Sequence, residues 1–359
     1  MRIGLVIYGD LEVISGGYLY NKQLVNYWRA NGHVVTIFSL PWRNYWGHFG
    51  DNFRLRWLNQ LLTADIDVLV QDELNHPSLV GINVILRKRA SYPIVSLLHL
   101  LRYTEPHSPL TTSFYKMVER RYLGEMDGII CNSLDTAKAV KRLNQKQIPQ
   151  IVAYPGGDHW TLNISDDEIR GRGAEAGPLR VLYVGNVIRR KGLAVLIEAL
   201  MQIDKSSWRL TAIGRQDLEP AYAKKIAQLI TNNHLEDQIQ LLGAVPFAEM
   251  PAYFKNHQLF VMPSFYEPFG IVYIEAMGAG LPVIASTAGA GRELIEQGKN
   301  GYLVRVGDSS EIAKCVEKLA HNRPILAQMG VAARRKHNLH PTWAETGEQI
   351  TSFIENLIS

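Results

Sequence analysis

Short apolar runs alternate with amphipathic stretches along nearly the whole of this 359-residue sequence. Runs such as residues 3–8, 67–71, 179–185 and 259–263 are continuously apolar or nearly so, which is typical of parallel strands that are buried on both faces. Parallel strands need a crossover segment between them, so this alternation predicts βαβ units and doubly wound sheets. The chain is too long for one typical core, and we therefore expect two such domains.

A polar segment at residues 165–178 has no apolar periodicity and is interpreted as the linker between the domains. We accordingly predict a Rossmann-like N-terminal domain over residues 1–170 and a second Rossmann-like domain over residues 178–340. The last segment, about residues 341–359, carries Trp343, Ile350 and Phe353 on one apolar stripe and is predicted to be a helix.

The composition disfavours nucleic-acid binding, a cysteine metal or redox site, and a transmembrane protein. The formal charge of +4 is mild and spread over both halves, which does not suggest a nucleic-acid partner. The only cysteines, Cys131 and Cys315, lack the spacing of a zinc or redox pair, and a reducing, cytoplasmic setting is expected. The N-terminal apolar run is too short for a signal peptide and no run is long enough to span a bilayer, so any membrane contact is expected to be peripheral.

The densest concentration of chemical groups is the segment at residues 264–275, which follows the apolar run ending at Pro263. We predict a strand, then a loop with Glu267, then a helix entered at Pro268 with Glu275 about two turns in. Ahead of that helix, backbone N–H groups can face an anion; they belong to Phe269, Gly270 and Ile271. The alternative is an ordinary amphipathic helix with two solvated glutamates.

Two further segments suit phosphate. Gly16-Gly17 follows the first strand and opens a helix, and Arg190-Lys191 precedes the helix that starts after Gly192. The alternatives are a plain tight turn and two surface cations. The Rossmann fingerprint Gly-x-Gly-x-x-Gly is absent, which disfavours a nicotinamide-dependent oxidoreductase.

Residues 41–57 concentrate aromatic and cationic side chains, beginning with Trp42, Arg43, Tyr45 and Trp46. This composition suits stacking on a sugar, docking on an anionic lipid surface, or packing as core. A predicted helix at residues 111–125 places Lys116, Glu119, Arg120 and Arg121 on its polar side. We interpret that side as solvated, with an interfacial basic face as the alternative.

The two glutamates eight positions apart with Pro-Phe-Gly between them, followed by residues 276–285 and 298–304, resemble family 4 of the glycosyltransferases. These are retaining enzymes of the GT-B fold. The resemblance covers nearly the whole chain and is most specific after Leu179. It implies an α/β protein with two Rossmann-like doubly wound domains facing a central cleft, and a C-terminal helix that crosses back to the first domain.

The resemblance also implies roles for residues. His99 and Glu267 would act on the donor sugar, and Glu275 would bind the ribose. The remaining donor contacts would come from Gly16, Gly17, Arg190, Lys191, Phe269, Gly270 and Ile271, with Ala244, Val245 and Pro246 lining the nucleobase. The acceptor would meet the N-terminal domain, where Trp42, Arg43, Tyr45 and Trp46 are the candidates. Asn186 stands where the family usually has arginine, and Arg189 or Arg190 would have to replace it.

The function predicted in this way is metal-independent transfer of a hexosyl group from a UDP-, GDP- or ADP-sugar to a hydroxyl of a sugar, lipid or small molecule. No cofactor is expected, and Asp65-Ile66-Asp67 matches an Asp-x-Asp metal motif only trivially because Asp67 begins a buried strand. The main alternative is a nucleotide-sugar-binding protein or regulatory subunit of the same fold without transferase activity.

Overall fold

The computed structural model describes residues 1–13, 15–143, 147–160 and 162–359. The chain forms two compact units. The first unit contains Met1–Gly156 and Pro341–Ser359, and the second contains Gly157–His340. Among the described residues, no helix has both the length and the apolar character needed to cross a bilayer.

In the described part of the first unit, six parallel strands are ordered β2-β1-β3-β4-β5-β6. The strands are β1 (Arg2–Tyr8), β2 (Val34–Leu40), β3 (Val68–Asp72), β4 (Ile94–Leu98), β5 (Gly128–Cys131) and β6 (Gln150–Val152). The helices are α1 (Gly16–Ala30), α2 (Tyr45–His48), α3 (Leu55–Leu62), α4 (His76–Leu79), α5 (Ile82–Arg89), α6 (Pro109–Leu123) and α7 (Leu134–Leu143).

Residues that alternate along each strand pack on opposite faces of this sheet. On β3, Leu69 joins an apolar cluster with residues of α3, α5, α6 and α7, whereas Val68 and Val70 join a second cluster with residues of α1. Both faces are covered, which explains why these strands are apolar without a period of two.

The chain's last helix, α16 (Trp343–Ile358), packs in the first unit as expected. Its residues Trp343, Ile350 and Ile354 lie in the same apolar cluster as Trp28 of α1. The indole Nε1 of the fully buried Trp28 donates to the hydroxyl of Thr351 at 3.1 Å. The helix therefore closes one face of a sheet whose strands precede it by about two hundred residues or more.

The described part of the second unit has six parallel strands in the order β12-β11-β10-β7-β8-β9. They are β7 (Leu179–Val184), β8 (Trp208–Ile213), β9 (Ile239–Gly243), β10 (Leu259–Met262), β11 (Val283–Ser286) and β12 (Gly301–Val304). The helices are α8 (Asp166–Ala174), α9 (Leu193–Leu200), α10 (Pro220–Asn232), α11 (Met250–Asn256), α12 (Ile271–Gly278), α13 (Gly291–Leu294), α14 (Ser309–His321) and α15 (Arg323–Asn338).

The predicted linker at residues 165–178 is wrong, because most of it is helix α8 of the second unit. Ser165 and Glu168 form a capping box at its start. The buried Arg172 donates to the carbonyl oxygens of Ala279 at 2.7 Å and Gly280 at 2.9 Å, which follow helix α12. The first unit accordingly ends at Gly156, earlier than the predicted boundary at residue 170.

The start of α12 also differs from the prediction. The helix begins at Ile271, not at Glu267 or Pro268, because Gly270 adopts a left-handed conformation with φ 86° and ψ 64°. A side chain at this position would be strained and would meet the ring of Tyr273. Glu275 consequently lies about one turn into the helix instead of two.

Candidate active site

Each sheet reverses its strand order beside its first strand. In the first unit β2 and β3 lie on opposite sides of β1, and in the second unit β8 and β10 lie on opposite sides of β7. The loops after the two central strands then diverge, and ligands of open α/β sheets bind in the crevice left there. Gly16-Gly17 follows β1, Lys191 follows β7 and Glu267 follows β10, so the predicted residues lie at these two switch points.

A largely buried ion pair joins the two loops at the switch point of the second unit. The Lys191 Nζ lies 2.6 Å from Glu267 Oε2, and the Ser264 hydroxyl donates to the same oxygen at 3.2 Å. Arg190 NH1 is 3.9 Å from that oxygen and donates to the carbonyl of Tyr266 at 2.8 Å. Arg190, rather than the exposed Arg189, is therefore the arginine beside Glu267.

These contacts decide the charge state of the pair. Burial opposes the ionisation of Glu267, but the Lys191 ammonium and the Arg190 guanidinium outweigh it and hold the pKa of this carboxyl below its usual value. Burial lowers the pKa of Lys191, while the attraction of Glu267 acts in the opposite direction. The site therefore holds an anion and two cations side by side at neutral pH.

The entrance to α12 lies next to this pair. Within the described ranges, no side chain caps the helix at Gly270. Phe269 is buried, and its ring lies 5.7 Å from that of His340, whereas Ile271 is half-buried. A helix N-terminus without a side-chain cap, beside two cations, suits a bound phosphate group.

Glu275 has a partner that the sequence did not reveal. The Nε2 of His159 lies 2.8 Å from Glu275 Oε1, and both side chains are largely buried. His159 belongs to the segment before α8, 116 residues away, and no motif around it points to this contact. The ring of His159 also packs against Trp160 at 4.6 Å and Phe247 at 5.8 Å between centroids.

The predicted nucleobase segment runs near this pair. Ala244 and Pro246 are exposed and Val245 is half-buried, directly after strand β9. Phe247, the next residue, contacts His159 and Trp160. The structure thus brings the predicted nucleobase segment and Glu275 to the same region of the second unit.

At the switch point of the first unit, His99 packs against the diglycine. A Cβ atom on Gly17 would lie 3.2 Å from His99 Cδ2, so a larger residue here would displace this ring by a few tenths of an ångström. The His99 Nε2 is 3.3 Å from the amide oxygen of Asn21, and the Asn21 amide nitrogen donates to Asp72 Oδ2 at 2.5 Å. Burial lowers the pKa of His99, although Asp72 acts in the opposite direction.

Two buried carboxylates hold the backbone that carries His99. Glu73 accepts hydrogen bonds from the N–H groups of His99 at 2.8 Å and Leu100 at 3.2 Å. Glu119 of α6 accepts from the N–H groups of Arg102 at 2.6 Å and Tyr103 at 3.3 Å. Burial raises the pKa of Glu73 well above its usual range and that of Glu119 to about 7.

The interpretation of Glu119 as a solvated residue is therefore wrong. Its side chain lies on the inner side of α6 with Val118, Tyr122 and Leu123, and only 1% of the residue is exposed. Glu73 was missed as a site residue because its partners are backbone amides, which leave no trace in the sequence, and Glu119 was missed because its charge suggested a solvated position.

One group of described side chains could hold a metal ion. Atoms of Asp72, Glu73 and His99 lie within 4.8 Å of one another. Their oxygens already accept hydrogen bonds, Glu73 from His99 and Leu100, and Asp72 from Asn21 and Leu74. The buried carboxylates of Asp72 and Glu73 therefore have hydrogen-bond donors within the protein.

The predicted acceptor residues divide into two groups. The ring of Trp42 packs 5.3 Å from that of Tyr8 at the end of β1, and Arg43 pairs with the buried Asp51 at 2.6 Å. Tyr45 and Trp46, in contrast, lie against α6. The segment is thus neither an open loop nor simple core, since α2, a 3₁₀ turn and the start of α3 run through it.

A cavity of about 430 Å³ in the second unit lies elsewhere. Arg172, Arg180 and Lys255 are among the residues that line it. Because Arg172 contacts the carbonyl end of α12, this cavity is at the opposite end of that helix from Glu267.

Known glycosyltransferases are similar to this chain in sequence. The family model for glycosyl transferases group 1 matches residues 165–336. The phosphatidyl-myo-inositol mannosyltransferase of Mycobacterium leprae is 27% identical over 99% of this chain and 97% of its own length. The D-inositol 3-phosphate glycosyltransferase of Pseudarthrobacter chlorophenolicus is 30% identical over 60% of this chain and 54% of its own.

Among solved structures, sucrose-phosphate synthase from Thermosynechococcus elongatus superposes with a TM-score of 0.83, at 21% identity, over 99% of this chain and 98% of its own. HepE from Anabaena, in complex with UDP, gives a TM-score of 0.80 at 21% identity over 99% of this chain and 100% of its own. Other crystals of HepE hold UDP with glucose, or UDP-glucose. At these identities the superpositions establish a shared GT-B fold.

Proposed function

We propose that this chain, which has the GT-B fold and is similar to glycosyl transferases group 1 over residues 165–336, is a family 4 glycosyltransferase that moves a hexosyl group from a nucleotide-diphosphate sugar to an acceptor hydroxyl. The proposal includes retention at the anomeric carbon and independence of a metal ion. A UDP-sugar is the first donor to test because HepE binds UDP-glucose, with GDP- and ADP-sugars as the alternatives.

The observation that carries the proposal is the buried pair of Lys191 and Glu267 at the switch point of the second sheet. Transfer leaves a nucleoside diphosphate, whose negative charge grows as the glycosidic bond breaks. A cation that is fixed before the reaction stabilises such charge without reorganisation. In this proposal Lys191 and Arg190 face the diphosphate, together with the N-termini of α9 and α12.

Glu267 and Glu275 have separate roles in the proposal. Glu267, ionised beside two cations, accepts hydrogen bonds from hydroxyls of the donor sugar, next to the amides of Phe269, Gly270 and Ile271. Glu275 accepts from the ribose hydroxyls, and His159 holds its carboxylate in place through the 2.8 Å contact. Ala244, Val245 and Pro246 line the base through backbone groups.

The first unit is proposed to contribute the diglycine and His99. Gly16-Gly17 faces the phosphates, and His99 orients the transferred sugar from a backbone held by Glu73 and Glu119. The acceptor is proposed to meet the side of this unit where Trp42, Arg43, Tyr45 and Trp46 lie. A lipid-linked acceptor is one candidate, alongside a soluble sugar or small molecule, and peripheral membrane contact would accompany it.

The first test is a thermal-shift screen of UDP-, GDP- and ADP-sugars, since a ligand that binds the folded state raises its apparent stability. A donor found in this way is then incubated with acceptors, and the anomeric configuration of the product is read by NMR. Activity is expected to persist with EDTA. Loss of activity in EDTA that Mg²⁺ or Mn²⁺ restores would overturn metal independence, and an inverted product would overturn retention.

The ribose role of Glu275 is tested separately. Glu275→Gln is expected to raise the donor KM about tenfold or more. The amide has one neutral acceptor oxygen, whereas the carboxylate offers the ribose hydroxyls two charged ones. The exposed Glu317 of α14 offers the matched control Glu317→Gln, for which no change is expected. An unchanged donor KM in Glu275→Gln would remove the ribose role.

A further inference from the structure

The solvent-facing side of helix α6 carries a stripe of apolar side chains among its polar ones, whereas the exposed face of a surface helix is usually polar. Leu110, Phe114 and Met117 recur at positions i, i+4 and i+7 and therefore share one face. The buried residues of the helix, Val118, Glu119, Tyr122 and Leu123, lie on the other side. Leu110 is 86% exposed and Met117 is 62% exposed.

A second element extends this face. The ring of Trp46 from α2 lies 5.0 Å from that of Phe114, and Phe49 lies 6.2 Å from it. Trp46 is 66% exposed. We call the set formed by Trp46, Phe49, Leu110, Phe114 and Met117 the α2–α6 surface.

The shape of this surface argues against a small-molecule site. Sugar and drug-sized ligands bind in concave sites that remove most of their own area from water. Side chains exposed to this degree instead project from the surface. Contiguous projecting apolar groups mark contact with a larger partner.

The charges of the surface select the kind of partner. The exposed charged residues in the segments 41–57 and 108–121 are all cationic; Arg54 pairs with the buried Asp51 at 3.1 Å, and the others are Arg56, Lys116, Arg120 and Arg121. The acidic residues of these segments, Asp51 and Glu119, are both buried. Arg121 continues the stripe of Leu110, Phe114 and Met117 at i+11. Aromatic and aliphatic groups beside a uniform set of cations match the interface of an anionic membrane.

We propose that the α2–α6 surface docks the protein on an anionic lipid bilayer, with Trp46, Leu110 and Met117 entering the headgroup region and the cations facing lipid phosphates. The contact is independent of transferase activity, although it would bring an acceptor carried by the membrane to the unit proposed to receive it.

The test is co-sedimentation of the full chain with vesicles of phosphatidylcholine alone or with added phosphatidylglycerol, at low and high salt. Binding is expected only with phosphatidylglycerol and is expected to weaken with salt. Arg120→Gln/Arg121→Gln should weaken it about thirtyfold, and Leu110→Ser/Met117→Ser at least about tenfold. Because all four residues are exposed, the variants should keep the thermal stability of the wild type.

Matched controls come from the second unit. Lys224→Gln/Lys225→Gln removes two adjacent exposed cations of α10, and Leu339→Ser removes an apolar residue that is as exposed as Leu110. Both are expected to bind vesicles like the wild type. The proposal is overturned if the chain does not bind the anionic vesicles at low salt or if both surface variants bind like the wild type. Concentration-dependent self-association that Leu110→Ser/Met117→Ser abolishes, without vesicle binding, would identify the surface as an interface between copies.

Discussion

The free energy of unfolding of Glu119→Gln, relative to that of the wild type, should rise with pH. In the wild type, burial raises the pKa of Glu119 from 4.5 to about 7. In the unfolded chain the carboxyl ionises near its ordinary value, so the unfolded state releases its proton first as the pH rises. The contribution of Glu119 to stability is therefore fully present below about pH 4.5 and is lost as the pH rises through about 7.

The size of the effect follows from the two pKa values. A rise from 4.5 to about 7 corresponds to about 3 kcal/mol between the protonation states. Glutamine keeps one oxygen, which can accept from the amide of Arg102, and it cannot ionise; the lost acceptor for Tyr103 lowers the stability of the variant by the same amount at every pH. The variant should therefore gain stability over the wild type progressively between about pH 5 and about pH 8, approaching about 3 kcal/mol at the upper end. Glu73 and Glu105 remain in both proteins, and their repulsion of the ionised Glu119 is part of the cost that glutamine removes.

Urea unfolding at a series of pH values measures this difference, and hydrogen exchange of the peptide that contains Arg102 and Tyr103 localises it. Glu348→Gln, at an exposed position of α16 in the same unit, is the control and should track the wild type at every pH. Parallel stability curves for Glu119→Gln and the wild type would refute the reasoning, because they would mean that the ionised carboxylate is no less stable in the folded protein than in the unfolded chain.

Two further substitutions test the switch points. Lys191→Met leaves Glu267 buried without its closest cation and should cost about 3–5 kcal/mol of unfolding free energy; adding Glu267→Gln should recover most of this loss in urea melts, and an additive double variant would contradict the pairing. Gly17→Ala places a methyl group 3.2 Å from the His99 ring and should lower kcat/KM about tenfold by moving this ring. Gly171→Ala, in a helix with open space around it, is the control, and equal kinetics for the two alanine variants would contradict the His99 contact.

The strands and the ends of strands could be predicted because their cause is local. A parallel strand covered on both faces must be apolar throughout, as β4 is, and this composition is visible in the sequence. The loops after such strands meet at one edge of a sheet. Gly17, His99, Lys191 and Glu267 could therefore be placed after strands from the sequence, whereas the donor role of His99 followed only from the family resemblance.

What could not be predicted depends on partners distant in sequence. Helix α8 has a polar composition because Arg172 contacts carbonyl groups and Gly173 packs closely on Ala327 of α15, so it has almost no apolar stripe to detect. His159 meets Glu275 only through the fold of the second unit. Glu119 follows the inner face of α6 beside Val118 and Tyr122, a position that helical spacing would have marked as buried. Its charge outweighed that signal in the prediction.

The buried carboxylates of the two units respond to pH in opposite ways because their partners differ. Glu267 faces cations, its pKa is lowered, and its contribution to stability is lost only as the pH falls below its ordinary range. In the described part of the first unit, Glu73 and Glu119 accept from backbone amides, and no ion pair to either carboxylate compensates their burial. Their raised pKa values weaken the first unit as the pH rises toward 7 and above. The loop that carries His99 is consequently held by hydrogen bonds that do not depend on a cation, in a unit whose stability falls with rising pH.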